Sequence, residues 1–291
     1  MSCLKVDNLN YKYGKKEVLK NISFEVNEGV IGILGADGED RTTAVRLLAA
    51  LSEIQGGDIF LNDLNYKSNL KEVRRSIGYI PQFFSVYGHL TGREFLQIEA
   101  GLRSDCNNKN IRNQIDEVME KLSMQEFIDR KVKQYSDAMR QKLAIAKVLM
   151  CDPGLVIMDE PTAGLAHEQR NAIRELFPVM AEGKIVLVTT HIAEDIEQYC
   201  NYLLVIKNGE LIYKGTKERF INEAEGLLWE SRVNHSTYSS IKASAHVISA
   251  SNSKDSISVK YISGRPLTGD SIRVKVSLQD AYLIHNMKLS M

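Results

Sequence analysis

The chain has 291 residues, 44% hydrophobic and 25% charged, enough for a sizeable core in one large α/β domain or in a domain with an appendage. Lys plus Arg and Asp plus Glu both number 37, so the formal net charge is zero and supplies no footprint for a nucleic-acid partner. No apolar run reaches the ~18–20 residues that span a bilayer, and the N-terminus lacks a signal-peptide layout.

In chain order, LKVDNLNYKY and VLKNISFEV alternate apolar and polar residues, predicting antiparallel strands with one buried face. GVIGILG (29–35) is a continuous apolar run of the kind found in a strand buried on both sides. A loop follows, then TTAVRLLAAL with helical spacing. Residues 60–82 contain more strand-like text, ending at IGYIPQ, and from about 91 to 150 the pattern is helical. GLVIMDEP and KIVLVTTH are two more buried-strand candidates, separated by the helical HEQRNAIRELFPVM. YLLVIKNGELIYKG predicts a hairpin turning at Asn208-Gly209. Beyond residue 216, KERFINEAEGLLWE reads as helix, and AHVISAS, SISVKYI and SIRVKVSL as strands of a small β-rich domain. Cys3, Cys106, Cys151 and Cys200 have no C-x-x-C spacing, which favours incidental thiols in a reducing compartment over a disulfide frame or zinc site.

The loop itself, GADGEDRTT (35–43), has the outline G-x-x-x-x-G-K-[ST] of a phosphate loop in the required strand–loop–helix context. Gly35 and Gly38 are kept, but Asp40 stands where a glycine lets the backbone curl closely around phosphate, and Arg41 stands for the lysine. At ~5 Å and an effective dielectric of ~20, one like-charge pair costs about 3 kcal/mol. Two carboxylates, Glu39 and Asp40, therefore offset most of the roughly 8 kcal/mol behind a micromolar site unless they turn into solvent. Both also suit the first turn of a helix with no anion to hold, where they answer the N-terminal dipole.

Further fragments occur in a fixed order: YKYGKKEVL, GYIPQ, YSDAMRQKLAIAKVL, LVIMDEP and VTTHIAED. Together with the loop they resemble the nucleotide-binding subunit of an ABC transporter over residues 3–216. The resemblance implies a P-loop NTPase-like α/β core with an antiparallel β subdomain and a helical subdomain at about 83–150, all within residues 1–216. Residues 217–291 then form a small β-rich accessory domain, and SLQDAYL (277–283) resembles the tail of subunits that serve two-component drug or peptide exporters.

The same resemblance assigns roles. Tyr13 stacks on adenine, although Tyr11 is a nearby competitor and a cross-strand packing role suits either ring. Gly35, Asp37, Gly38, Glu39, Asp40, Arg41, Thr42 and Thr43 form the loop around the phosphates of ATP. Thr42, Gln82 and, through water, Asp159 serve Mg²⁺. Glu160 polarises the attacking water and His191 contacts the γ-phosphate, chemistry suited to a carboxylate and an imidazole beside a phosphoryl group. Ser136 keeps the signature serine, whereas Asp137 and Ala138 replace two glycines at a helix start that faces the partner subunit's nucleotide. Ser136 and Asp137 equally suit an ordinary helix cap and first turn. Ala166 and His167 depart from the Asp and Pro that make a contact across the dimer.

The departures lie in the groups that grip phosphate, which predicts a degenerate subunit with weak or absent ATP hydrolysis. The expected partners are an integral-membrane permease and a second nucleotide-binding subunit, identical or different, with no nucleic acid. The expected location is cytoplasmic, peripheral to the membrane through the permease. Two alternatives stay open: an active ATPase driving export of a drug, peptide or lipid, and a soluble interaction module without a transport role.

Overall fold

The computed structural model describes residues 2–35, 38–102, 111–253 and 256–288; the side chains of Glu39 and Lys288 are outside the described part, as are Asp37 and Cys106. The chain divides into two compact units, 1–214 and 215–291.

The first unit opens with β1 (Cys3–Tyr13) and β2 (Lys16–Asn27), paired antiparallel with Leu4 opposite Val26, Val6 opposite Phe24 and Leu9 opposite Ile22. These inward positions are the alternating apolar residues of the sequence, buried on one face. After β3 (Gly29–Leu34) and α1 (Glu39–Leu48), β4 (Gly56–Leu61) and β5 (Leu64–Asn65) complete a sheet ordered β2-β1-β4-β5. Within the strand-like stretch 60–82, the end of β4, β5 and β6 (Ile77–Ile80) are strand, whereas LKEVRR forms the helix α2 (Leu70–Arg75). Two arginines in the last turn suit the helix C-terminus, and a lone buried Val73 leaves no alternation for a strand to use.

The helical region carries α3 (Gly92–Leu102), α4 (Ile111–Lys121) and α5 (Asp137–Leu149), which pack on one another. Arg93 ties α3 to Asp116 and Asp129. Then come β7 (Leu155–Asp159), α6 (His167–Arg174), α7 (Leu176–Met180), β8 (Ile185–Thr190), α8 (Glu194–Glu197), β9 (Tyr202–Lys207) and β10 (Glu210–Thr216). The central sheet runs β10-β9-β3-β8-β7-β6. β6, β7, β8, β3 and β9 are parallel, and their continuous Val, Ile and Leu runs are buried on both faces. Gly32 sits mid-β3 because a Cβ there would meet Ile196 Cδ1 at 2.3 Å. Asn208 and Gly209 turn β9 into β10 with φ of 53° and 80°, the two left-handed residues of a type I′ hairpin.

The second unit departs from the predicted order. Helix α9 (Lys217–Asn222) is short, and LLWE, read as its continuation, enters β11 (Leu228–Val233). HSTYSSIKAS forms α10 (His235–Ser244), with Asn234 as cap accepting from the Thr237 N–H. Its serine hydroxyls bond back onto carbonyls four residues earlier, Ser239 to His235 and Ser240 to Ser236, so that they do not break the helix. β12 (His246–Asn252), β13 (Ile257–Ile262) and β14 (Ile272–Arg273) give an antiparallel sheet ordered β12-β13-β11-β14. Trp229, Val233, Val259 and Tyr261 pack against Ile241 of α10 on one face. On the other, Lys260 pairs with Asp280 of α11 (Leu278–Lys288) at 3.0 Å. The SLQD start of that helix is a reciprocal cap: the Asp280 N–H donates to Ser277 Oγ, and the Ser277 N–H donates to Asp280 Oδ2.

Candidate functional site

The carboxyl ends of neighbouring parallel strands converge at one place, the position where open α/β sheets offer a crevice. Gly35 follows β3, Glu160 follows β7 and His191 follows β8, and β3, β8 and β7 are adjacent.

Glu160 is held in an unusual backbone state. Its φ is +49°, the left-handed region that costs a non-glycine residue about 1–3 kcal/mol and that clusters at functional sites. Its N–H donates to both the carbonyl and the hydroxyl of Thr189, at 3.2 and 3.1 Å, which hold the turn in place. The side chain is 3% exposed. Its Oε1 lies 2.6 Å from Arg41 Nη2 and 3.0 Å from His191 Nδ1. Among the described residues, its Oε2 meets no hydrogen-bond donor.

Arg41, 5% exposed, is anchored at the root of the loop, where Nη1 donates to the Gly35 carbonyl at 2.9 Å. The extra length and fork of arginine allow both bonds at once. The neighbouring Asp40 accepts from two backbone N–H groups: that of Arg41 on Oδ1 at 2.9 Å and that of Gly209, in the β9–β10 turn, on Oδ2 at 3.1 Å. An internal carboxylate thus takes donors at the start of α1. Gly38 is the cap residue, with extended φ of −170° and no side chain to bond.

Tyr13, Gly38, Thr42 and Thr43 line a cleft of about 310 Å³. Tyr13 is 46% exposed, meets Tyr11 edge to face at 5.1 Å, and accepts a long 3.5 Å bond from the Thr43 hydroxyl. Asp159 has both oxygens engaged, Oδ1 by the Thr189 hydroxyl at 2.8 Å and Oδ2 by the Tyr79 hydroxyl at 3.3 Å. Burial, then the Asp159 charge, pushes the Tyr79 phenol up to about 12. Two predicted residues are not drawn into this cluster. Gln82 is exposed beyond β6 and makes no hydrogen bond among the described residues, and Ser136 caps α5 by accepting from the Met139 N–H.

Behind the cluster lies a buried network that motif reasoning missed. Asp195, 1% exposed, pairs with Arg174 of α6, whose Nε donates at 3.0 Å. It also accepts from the hydroxyls of Thr162 and Thr190. Thr162 lies two residues after Glu160 and Thr190 one before His191, so a single carboxylate ties the two loops together. The one sequence signal for it is HIAED, an acidic residue four positions after His191.

A family model described as ABC transporter matches residues 19–163. An uncharacterized ABC transporter ATP-binding protein of Bacillus subtilis (strain 168), YxlF, is 34% identical over 73% of this chain and 70% of its own length. The chain belongs to the ABC transporter ATP-binding family. Nod factor export ATP-binding protein I of Ralstonia nicotianae is 33% identical over 77% of this chain and 70% of its own. Among solved structures, cbiO1 from Clostridium perfringens, part of the ABC transporter complex cbiONQ, matches with a TM-score of 0.66 and 26% identity, covering 76% of this chain and 91% of that one.

Members of this family generally use ATP with Mg²⁺, pair with membrane permeases and dimerise. The oxygen donors of this ABC subunit suit a hard cation in type: Thr42, a hydroxyl residue, lines the cleft and Asp159 supplies a carboxylate. The fit to a triphosphate is poorer. Its cation is committed to Glu160, and Asp40 covers N–H groups beside it. Among the described residues, no helix is long and apolar enough to cross a membrane.

Proposed function

We propose that this chain is a degenerate ATP-binding subunit of an ABC exporter, with weak or absent hydrolysis. It would serve a structural or regulatory role on an integral-membrane permease, beside a second, competent nucleotide-binding subunit. The observation that carries this reading is the Arg41–Glu160 ion pair at 2.6 Å, both side chains buried. The cation expected to draw in phosphate and the carboxylate expected to activate water neutralise each other. Asp137, at the first position of α5, brings a further carboxylate to the face offered to a partner's nucleotide. The export direction rests on the Nod factor relative, and the membrane location rests on the permease. Residues 215–291 are proposed as an accessory domain.

Phosphate release from the purified transporter complex, with Glu160→Gln as control, tests it. The expected rate is at or near the control's; robust Glu160-dependent turnover by a homodimer of this chain sinks the proposal. One observation favours the active-ATPase alternative, namely the assembled Glu160–His191 contact at 3.0 Å. On that reading Mg-ATP at 100 times its Kd stabilises the protein by about 2.7 kcal/mol. No thermal shift at millimolar Mg-ATP removes the alternative.

A further inference from the structure

We infer that Arg41 is a positioning residue for Glu160, and that a phosphate group entering the cleft must compete with the Glu160 carboxylate for the Arg41 guanidinium. Anion binding and the unmasking of Glu160 are then one event. The inference rests on the reading of this cleft as a phosphate site.

Three observations carry it. First, the pair is enclosed: Arg41 is 5% and Glu160 3% exposed, so water does little to weaken a charge-assisted contact of 2.6 Å. Second, the guanidinium is held at the carboxyl end of β3 through Nη1 to the Gly35 carbonyl, so the same group that meets Glu160 sits at the start of the strand–helix turn. Third, Glu160 Oε1 is shared by Arg41 Nη2 and His191 Nδ1, while Oε2 meets no donor among the described residues. Among the described residues, withdrawal of Arg41 leaves His191 as the charged or polar side chain in contact with that carboxylate, which is then free to face an incoming group. Arginine keeps its charge at every working pH, so the pair is opened by a competing anion and not by deprotonation. The arrangement differs from that of a compact ammonium, whose donors radiate from one nitrogen and are not set in a fixed planar fork.

A double-mutant cycle on the full chain tests the inference with inorganic pyrophosphate as probe, in chelator and without Mg²⁺, by titration calorimetry. Glu160→Gln is expected to tighten pyrophosphate binding at least tenfold over the wild type, because the competitor's charge is gone. In an Arg41→Met background the same change is expected to alter affinity less than threefold. Glu160→Asp, which keeps the charge but shortens the reach to Arg41, is expected to fall between wild type and Glu160→Gln, and guards against a folding defect in either. Equal gains in both Arg41 backgrounds would mean simple charge repulsion and overturn the competition. Absence of pyrophosphate binding in wild type, Glu160→Gln and Glu160→Asp alike overturns it too. Repeating the cycle with ATP in chelator tells free phosphate from nucleotide as the source of the anion. No turnover is measured, so the result stands apart from the hydrolysis assay: an active subunit with this coupling and an inert one without it are separate outcomes.

Discussion

On the strand-end side of the cleft, Asp159, Glu160 and His191 keep the residue types of the family pattern, and hydroxyl donors and a buried carboxylate hold them from behind. On the loop side, Asp40 and Arg41 replace a glycine and a lysine, and both side chains fold back onto the protein itself. The two sides differ in what they ask of the chain. A strand-end carboxylate needs partners, which neighbouring side chains supply. A phosphate cradle needs open N–H groups and no side chain in the way, so any residue with its own charge becomes a competitor. On the reading proposed above, Asp40 and Arg41 fill the loop side with contacts of their own, while the strand-end carboxylates keep their partners.

The largest expected effect probes what keeps the strand-end side intact. Asp195→Ala strands the buried guanidinium of Arg174 and removes the acceptor of Thr162 and Thr190. Breaking a buried pair from one side costs about 3–5 kcal/mol. Urea denaturation followed by far-UV circular dichroism, which reads the helices and strands of both units, measures the loss. The single tryptophan, Trp229, lies in the second unit, so its fluorescence follows that unit's own transition separately. A loss under about 1 kcal/mol would mean the loops of Glu160 and His191 are held by something other than Asp195.

Next in size is repair of the loop side. Asp40→Gly with Arg41→Lys removes the internal anion and the competing fork. Without ligand the variant is expected to be less stable, because the Gly209 N–H loses its acceptor at about 1–3 kcal/mol. With Mg-ATP at 100 times its Kd it is expected to regain about 2.7 kcal/mol, read as a thermal shift that the wild type lacks at the same concentration. If wild type and variant shift alike, the two substitutions are not what separates the sides of the cleft.

Much of this architecture is legible in the sequence. The doubly buried strands Gly29–Leu34 and Ile185–Thr190 and the Asn208-Gly209 turn follow from apolar runs and from the left-handed preference of Asn-Gly. LKEVRR and HSTYSSIKAS are not, because each buries a single core residue, Val73 and Ile241, and leaves no periodicity to detect. LLWE misled for a related reason: Leu and Glu suit a helix, but pairing with β13 decides the matter, and pairing is invisible in a local window. At the site, the altered charges of Asp40 and Arg41 could be seen, but not their destinations. Gly209 lies 169 positions from Asp40, and Glu160 follows a strand two places from β3. Tyr79, Thr189 and Asp195 belong to the same class, partners across the sheet that no motif spacing reveals.

The smallest effect concerns how Asp159 is held. The Tyr79 phenol is pushed up to about 12 from 10, first by burial and then by the Asp159 charge. A folded pKa above the unfolded one means that the neutral phenol is favoured in the folded state. Its contribution is fully present below about pH 10 and is lost as pH rises through about 12. Tyr79 is only half-buried, so solvent screening keeps that contribution to roughly 1 kcal/mol or less. Tyr79→Phe is therefore expected to flatten the decline of stability between pH 10 and 12, and to remove one late-titrating phenolate from the ultraviolet titration. Tyr66 and Tyr135 are also raised, so the experiment compares amplitude, not the mere presence of a late phase. Unchanged amplitude would mean that Tyr79 ionises like an exposed tyrosine and does not hold Asp159; the strand-end side would then rest on Thr189 alone at this carboxylate.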